Sequence, residues 1–212
     1  MLDATVFAAR RAELFQGAGV PNLRGKLTAE GWVTPEGTLS TGTTPFNPFA
    51  RLVAGLLPMP YGDLLQQVGI SSSEFMVARN RPELAAAWAS NDPAMVGKAG
   101  MSEHHEFLLL RDLWWETFNV LTFAAQRTPG AYASAIDLLD RMEVTALEYA
   151  RRSGWSPNVG LFFHCYPQNS VQALHLHIVD WSRTGPTYDA LDYKNLKLSD
   201  VRLVLQQEAA TL

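Results

Sequence analysis

His175 and His177 stand two residues apart in the run Val171–Trp181, with apolar residues between and beyond them. The run reads as a β-strand. Side chains alternate across a strand, so Ala173, His175, His177 and Val179 share one face while Leu174, Leu176 and Ile178 share the other. Two imidazoles about 7 Å apart along one face can hold a phosphate group, one attacking phosphorus in line and the other donating to a non-bridging oxygen. A neutral imidazole is a competent nucleophile near neutral pH and does not need the base that a serine requires. Its attack gives a phosphoramidate that water or a second acceptor discharges, and the leaving group still needs a proton. Metal ligation and satisfied structural histidines are the other readings of the same pair, and the two residues alone leave all three open.

The elements that must position this pair are legible in outline. Asp3 caps a helix that runs to Phe15 and stops at Gly17 and Gly19. Lys26–Val33 and Thr38–Ser40 are expected to pair as strands around Pro35-Glu36-Gly37, and Leu64–Val68 to form a short helix. Residues 1–70 thus read as an N-terminal extension, a helix plus a loop-rich arm. Phe46, Phe49, Leu52, Val53, Leu56 and Leu57 give it apolar surface to dock on the main domain, residues 71–212, with substrate shaping or dimerisation as the alternatives. That domain begins with candidate strands at Glu74–Ala78, Ala85–Ala89 and Glu106–Leu110. A helix opened by Asp112 would place Trp114, Phe118, Leu121 and Ala125 on one buried face. Thr128-Pro129 starts a second helix that reaches Arg152 before Gly154, burying Ile136, Leu139, Leu147 and Ala150. Asn158–Tyr166 and Val171–Trp181 then read as a hairpin around Pro167-Gln168-Asn169-Ser170, and a last helix starts at Ser199. The order predicts an α+β domain, an antiparallel sheet with helices packed on one side.

Composition narrows the function. The 212 residues are 47% hydrophobic, enough for a sizeable core, and carry a formal net charge of −4 from 17 basic and 21 acidic residues. With no basic run longer than Arg10-Arg11 or Arg151-Arg152, a nucleic-acid footprint is not expected. The single cysteine, Cys165, gives no disulfide framework and no Cys-rich zinc module. Neither a secretory leader nor an apolar span is recognisable, so the expectation is a cytoplasmic protein without membrane partners.

Other side chains can join the histidines. His104 and His105 point to opposite faces if both lie on a strand, and His105 is the favoured member. His164 on the neighbouring strand faces either the site or the opposite layer. Ser170 and Gln168, just upstream of the nucleophile strand, can donate to a leaving-group oxygen, although turn chemistry also explains them. Cys165 is adjacent to His164 and therefore points away from it.

The run Ser170-Val171-Gln172-Ala173-Leu174-His175-Leu176-His177-Ile178-Val179 resembles the signature of the histidine-triad superfamily, His-x-His-x-His-x-x with apolar x, with Ala173 in place of the first histidine. The resemblance extends over about residues 74–211. His105-Glu106-Phe107-Leu108-Leu109-Leu110 is similar to the family strand His-x-Phe-Leu-Val-Leu, and His164-Cys165-Tyr166-Pro167 to the His-x-x-Pro motif of the aprataxin and scavenger-decapping branches. The resemblance implies a HIT-like fold, His175 as nucleophile, His177 as a phosphate contact and His105 behind them. It also implies Asn91 or Asp92 as a ribose contact, although Asn91-Asp92-Pro93 is more simply a turn, a nucleotide or nucleotidylated small molecule as partner, no cofactor, and homodimers, which are frequent in the family. Thr44-Pro45-Phe46-Asn47 echoes the Cys-Pro-Phe-Cys start of zinc-bearing relatives without either cysteine, so no structural metal is expected.

The implied function is a nucleotidyl hydrolase or transferase acting on a nucleoside phosphoanhydride, ester or phosphoramidate through a covalent nucleotidyl-histidine. One alternative is a non-catalytic nucleotide or phosphometabolite binder on a degenerate HIT fold, which Ala173 favours. The other is a metal-dependent His-x-His enzyme on a cupin-type barrel. A cupin should show a glutamate soon after the second histidine and glycine-rich turns, and Ile178-Val179-Asp180-Trp181-Ser182 supplies neither.

Overall fold

The computed structural model describes residues 2–212. Its centre is a five-stranded antiparallel sheet of β1 (Phe75–Arg79), β2 (His105–Leu110), β3 (Val159–His164), β4 (His175–Asp180) and β5 (Asn195–Lys197), in the spatial order β1-β2-β4-β3-β5. The fold is α+β. Leu108, Leu176, Ile178 and Phe163 project from one face onto Leu139, Met142 and Ala146 of α6 (Pro129–Arg152) and onto Val201, Val204 and Leu205 of α8 (Leu198–Ala209). Burying this continuous apolar layer, at roughly 25 cal/mol per Å², is the main force holding helices to sheet. Among the described residues no helix is long and apolar enough to cross a membrane.

The first 70 residues touch both faces of the sheet. Helix α1 (Ala4–Leu14), capped by Asp3 Oδ1 accepting from the Val6 N–H, packs on α8, and Leu2 bridges to Leu196 on the β5 edge. Helix α4 (Leu64–Gln67) adds Leu64 and Leu65 to the same core. Helix α3 (Pro48–Val53) lies on the opposite face, where Phe49, Leu52 and Val53 pack on Met76, Ala78, Phe107 and Leu109.

Several expected elements take another form. Lys26–Val33 is not a strand, because Leu23 and Leu27 set a helical spacing, and α2 (Gly19–Ala29) buries both. Of the expected hairpin only a Val33–Leu39 bridge and the turn at Gly37 remain. Ala85–Ala89 is not a strand either. Pro82 opens a short helix, α5 (Pro82–Ala86), and alanines favour that state.

No α-helix follows Asp112. Two 3-10 turns, Trp115–Thr117 and Val120–Thr122, carry the chain, with Ala124 and Arg127 at positive φ behind them. Trp115 is buried in place of Trp114, and Leu147 on α6 is also exposed. The carbonyls that a helix would have used internally are taken by Arg11, whose guanidinium donates to those of Leu121 and Phe123 at 2.9 Å and of Val120 at 3.4 Å.

The hairpin strands are shorter than expected because residues 165–174 form a loop satisfied outside the ladder. Asn47 Nδ2 donates to the Gln172 carbonyl and Asn169 Nδ2 to that of Val171. Helix α7 (Pro186–Leu191) and the three-residue strand β5 were not expected at all.

Arg11 is fully buried and also binds Glu208, which accepts from the Tyr132 hydroxyl. Arg11→Ala would leave Glu208 and the three carbonyls without their guanidinium. It should lower unfolding free energy by about 3 kcal/mol or more in urea titration, and a loss within 0.5 kcal/mol would remove Arg11 from this role.

Candidate active site

Strand register gathers the histidines on the face away from α6. Leu109 pairs with His175 and Phe107 with His177, so His105, two residues before Phe107, shares their face. Phe162 pairs with His177, which settles the face of His164 two residues later. His105, His164, His175 and His177 are therefore one cluster, with Phe107 edge-on to three of the rings. His104 points elsewhere and stacks on Trp155.

The hydrogen bonds determine which ring nitrogens carry protons. The Met101 N–H donates to His105 Nδ1 at 3.0 Å, so that nitrogen is bare and the His105 proton sits on Nε2. His105 Nε2–H then donates to His177 Nδ1, also at 3.0 Å, leaving His177 protonated on Nε2. That Nε2 is buried and has no partner. His175 Nδ1–H donates to the Ala173 carbonyl at 2.7 Å, so its Nε2 presents a lone pair. His164 Nε2–H donates to Asn195 Oδ1 at 2.9 Å, leaving its Nδ1 bare, and Asn195 in turn directs its amide at Met101 Sδ.

These assignments hold for neutral rings, and burial keeps the rings neutral. Desolvation lowers the His175 pKa to about 4 and, with the nearby His175, that of His105 to about 3. Burial first, then the neighbouring rings and the Lys194 ammonium, hold His177 and His164 well below the usual histidine value.

The cluster forms the floor of a cavity of about 660 Å³, a size suited to a small-molecule ligand. Phe46, Phe49, Leu52, Leu57, Pro58 and Pro60 from the first 70 residues form one apolar wall, with Phe49 edge-on to His175 at 4.9 Å. Asn80 and Arg81 after β1, Lys98, and Lys194 before β5 line the remainder. Among the described residues no carboxylate lines it.

Of the sequence candidates, His105, His164, His175, His177 and Ser170 line this cavity. Gln168 does not, because its Oε1 accepts from Arg10 at 2.6 Å. Asn91 and Asp92 also lie outside, exposed in a turn where Asp92 Oδ1 accepts from the Ala94 N–H. Cys165 joins the helix-side core, and burial pushes its thiol up to about 11. Phe46, Phe49, Leu52 and Leu57 of the apolar wall stand out in the sequence as docking surface, whereas Lys194, Lys98 and Asn80 do not stand out at all. None sits in a pattern, and only the third dimension brings them to the histidines.

No known family model matches the chain, and no curated protein matches it. Its chemistry must therefore be read from the site itself.

The buried neutral rings make stability depend on pH. Unfolded histidines bind protons below about pH 6.5 that the folded rings refuse. Stability is thus fully present above that pH and is lost as pH falls toward 4, by up to about 1.4 kcal/mol per ring per pH unit. Glu106, whose carboxyl burial pushes up to about 7 against the opposing pull of Arg79, acts in the other direction as one group against four. The urea midpoint should drop between pH 7 and pH 5, and an unchanged midpoint would contradict the neutral cluster.

Proposed function

We propose that this chain is a nucleotidyl hydrolase or transferase that cleaves a nucleoside phosphoanhydride, ester or phosphoramidate through a covalent nucleotidyl-His175 intermediate. The observation that carries this reading is the bare Nε2 of His175 beside the unpartnered Nε2–H of His177 at the floor of one cavity. A nucleophile and a donor for the same phosphoryl group are supplied together, without a preceding proton transfer.

In the first step the His175 Nε2 lone pair forms a bond to phosphorus as the bond to the leaving group breaks; the electron pair stays on the leaving group, which takes a proton from water where it is an amine or alkoxide. His177 Nε2–H donates to a non-bridging oxygen, and the Ala173 carbonyl, accepting from Nδ1–H, offsets the positive charge that grows on the His175 ring. In the second step water attacks phosphorus and passes its proton to a phosphoryl oxygen, and the N–P electron pair returns to His175. Ala173 occupies the position of the missing histidine, but its own carbonyl orients the nucleophile. That contact favours catalysis over an inert binder. The apolar wall offers a surface for a nucleobase.

Metal binding has one observation in its favour: His164, His175 and His177 can each offer a ring nitrogen, all within 4.8 Å of one another. Ligation through His177 Nε2 would require its proton on Nδ1. His105 Nε2 would then have to accept, and its displaced Nδ1–H would meet the Met101 N–H donor to donor. The hydrogen-bond chain opposes that arrangement.

Incubating the protein with adenylyl, guanylyl, cytidylyl and uridylyl conjugates should release nucleoside monophosphate and add one nucleotidyl mass to the chain. His175→Ala should abolish the adduct and cut turnover by about 10³-fold or more, and His177→Ala should cost about 10²-fold. Chelator should change neither rate. Undiminished turnover in His175→Ala would refute the nucleophile, and loss of activity on chelation would favour the metal.

A further inference from the structure

Lys194 is buried to 9% exposure in the wall of the histidine cavity and forms no salt bridge or hydrogen bond with any described residue. The other cations in this lining differ. Arg79 is paired with Glu106 and Arg81 with Glu83, while Lys98 is exposed at the rim. Desolvation lowers the Lys194 pKa and no neighbouring carboxylate raises it again. An ammonium desolvated without a counter-charge is costly to the fold, and an anionic ligand would remove that cost.

Apart from its ammonium groups, the cavity offers no acid to a leaving group among the described residues. Among the described residues no carboxyl group lines it, and burial holds the four imidazoles neutral at pH 7. An amine or alkoxide expelled from phosphorus must be protonated as it leaves. A phosphate need not be, because its second ionisation lies near pH 6 and it departs as a stable anion. That anion needs a positive charge rather than a proton.

Building on the nucleotidyl-transfer reading above, we propose that Lys194 binds the leaving phosphate, so that the cavity selects nucleoside phosphoanhydrides over phosphoramidates and alkyl esters. As the His175 Nε2–P bond forms, the bridging P–O bond breaks and its electron pair stays on the departing phosphate beside the Lys194 ammonium. No proton moves in this step. Lys98 lines the same cavity and gives a second positive charge for a longer polyphosphate.

Calorimetry on the full chain with nucleoside 5′-monophosphates and 5′-diphosphates of the four common bases tests the subsite without requiring turnover. The wild type should bind the diphosphate of its preferred base at least tenfold more tightly than the monophosphate. Lys194→Met should reduce that preference to threefold or less, and Lys194→Arg should retain most of it. Equal binding of the two ligands by the wild type would overturn the proposal even if neither variant folds, and so would a preference that survives Lys194→Met. In turnover, Lys194→Met should slow dinucleoside polyphosphate cleavage by tenfold or more and phosphoramidate cleavage by less than threefold. A larger loss on the phosphoramidate would make Lys194 a general acid and overturn the assignment. A diphosphate preference without any covalent adduct would refute nucleotidyl transfer while leaving the anion site in place. An adduct without the preference would refute only the role of Lys194.

Discussion

The hydrogen bond from the Met101 N–H to His105 Nδ1 sets the chemistry of the whole histidine cluster. A backbone N–H cannot change tautomer. It makes His105 a donor through Nε2, which makes Nδ1 of His177 an acceptor, which leaves a proton on His177 Nε2 where the cavity begins. The Ala173 carbonyl acts on His175 with the opposite sign, holding a proton on Nδ1 so that Nε2 stays bare. Two main-chain groups therefore place a hydrogen-bond donor beside a bare ring nitrogen in the resting protein, and no side chain has to ionise first.

Such an arrangement persists only where water cannot compete. The α3 segment supplies the cover: Phe49 lies against Phe107 and His175, and Leu52 and Val53 seal the sheet face alongside. Asn47 ties this cover to the loop before β4 by donating to the Gln172 carbonyl, so the segment that roofs the site also holds the loop that leads to His175. On the other face the apolar layer of α6 and α8 holds the strands in register, and a one-residue slip would turn the imidazoles into that core. Lys194 is the exception to this internal satisfaction, a charge buried in a site that otherwise holds neutral groups.

The sequence made the strands and their faces legible wherever alternation or a continuous apolar run was strong. Leu174-Leu176-Ile178 against His175-His177 on β4, the apolar run of β2, and the Thr128-Pro129 start of α6 all appear in the structure. Local signals misled where a distant side chain supplied what a helix or strand would have supplied itself. Arg11 takes the carbonyls after Asp112, and Asn47 and Asn169 take those before β4. Three histidines of the cluster were visible as strand residues on a definable face, and His164 became so once Phe162 was paired with His177. Lys194 was not. It lies in a short 3-10 turn before a three-residue strand, too brief for any periodicity, and its meaning comes from what is absent around it.

The proton positions on these rings are the centre of the account, and nitrogen NMR reads them directly. Long-range proton–nitrogen correlation spectra at pH 7 should show His105 and His177 as Nε2–H tautomers and His175 as the Nδ1–H tautomer, all neutral. A His177 protonated on Nδ1 with a bare Nε2 would contradict the account. It would leave the bare His175 nitrogen without its neighbouring donor and free His164, His175 and His177 to offer their ring nitrogens to a metal.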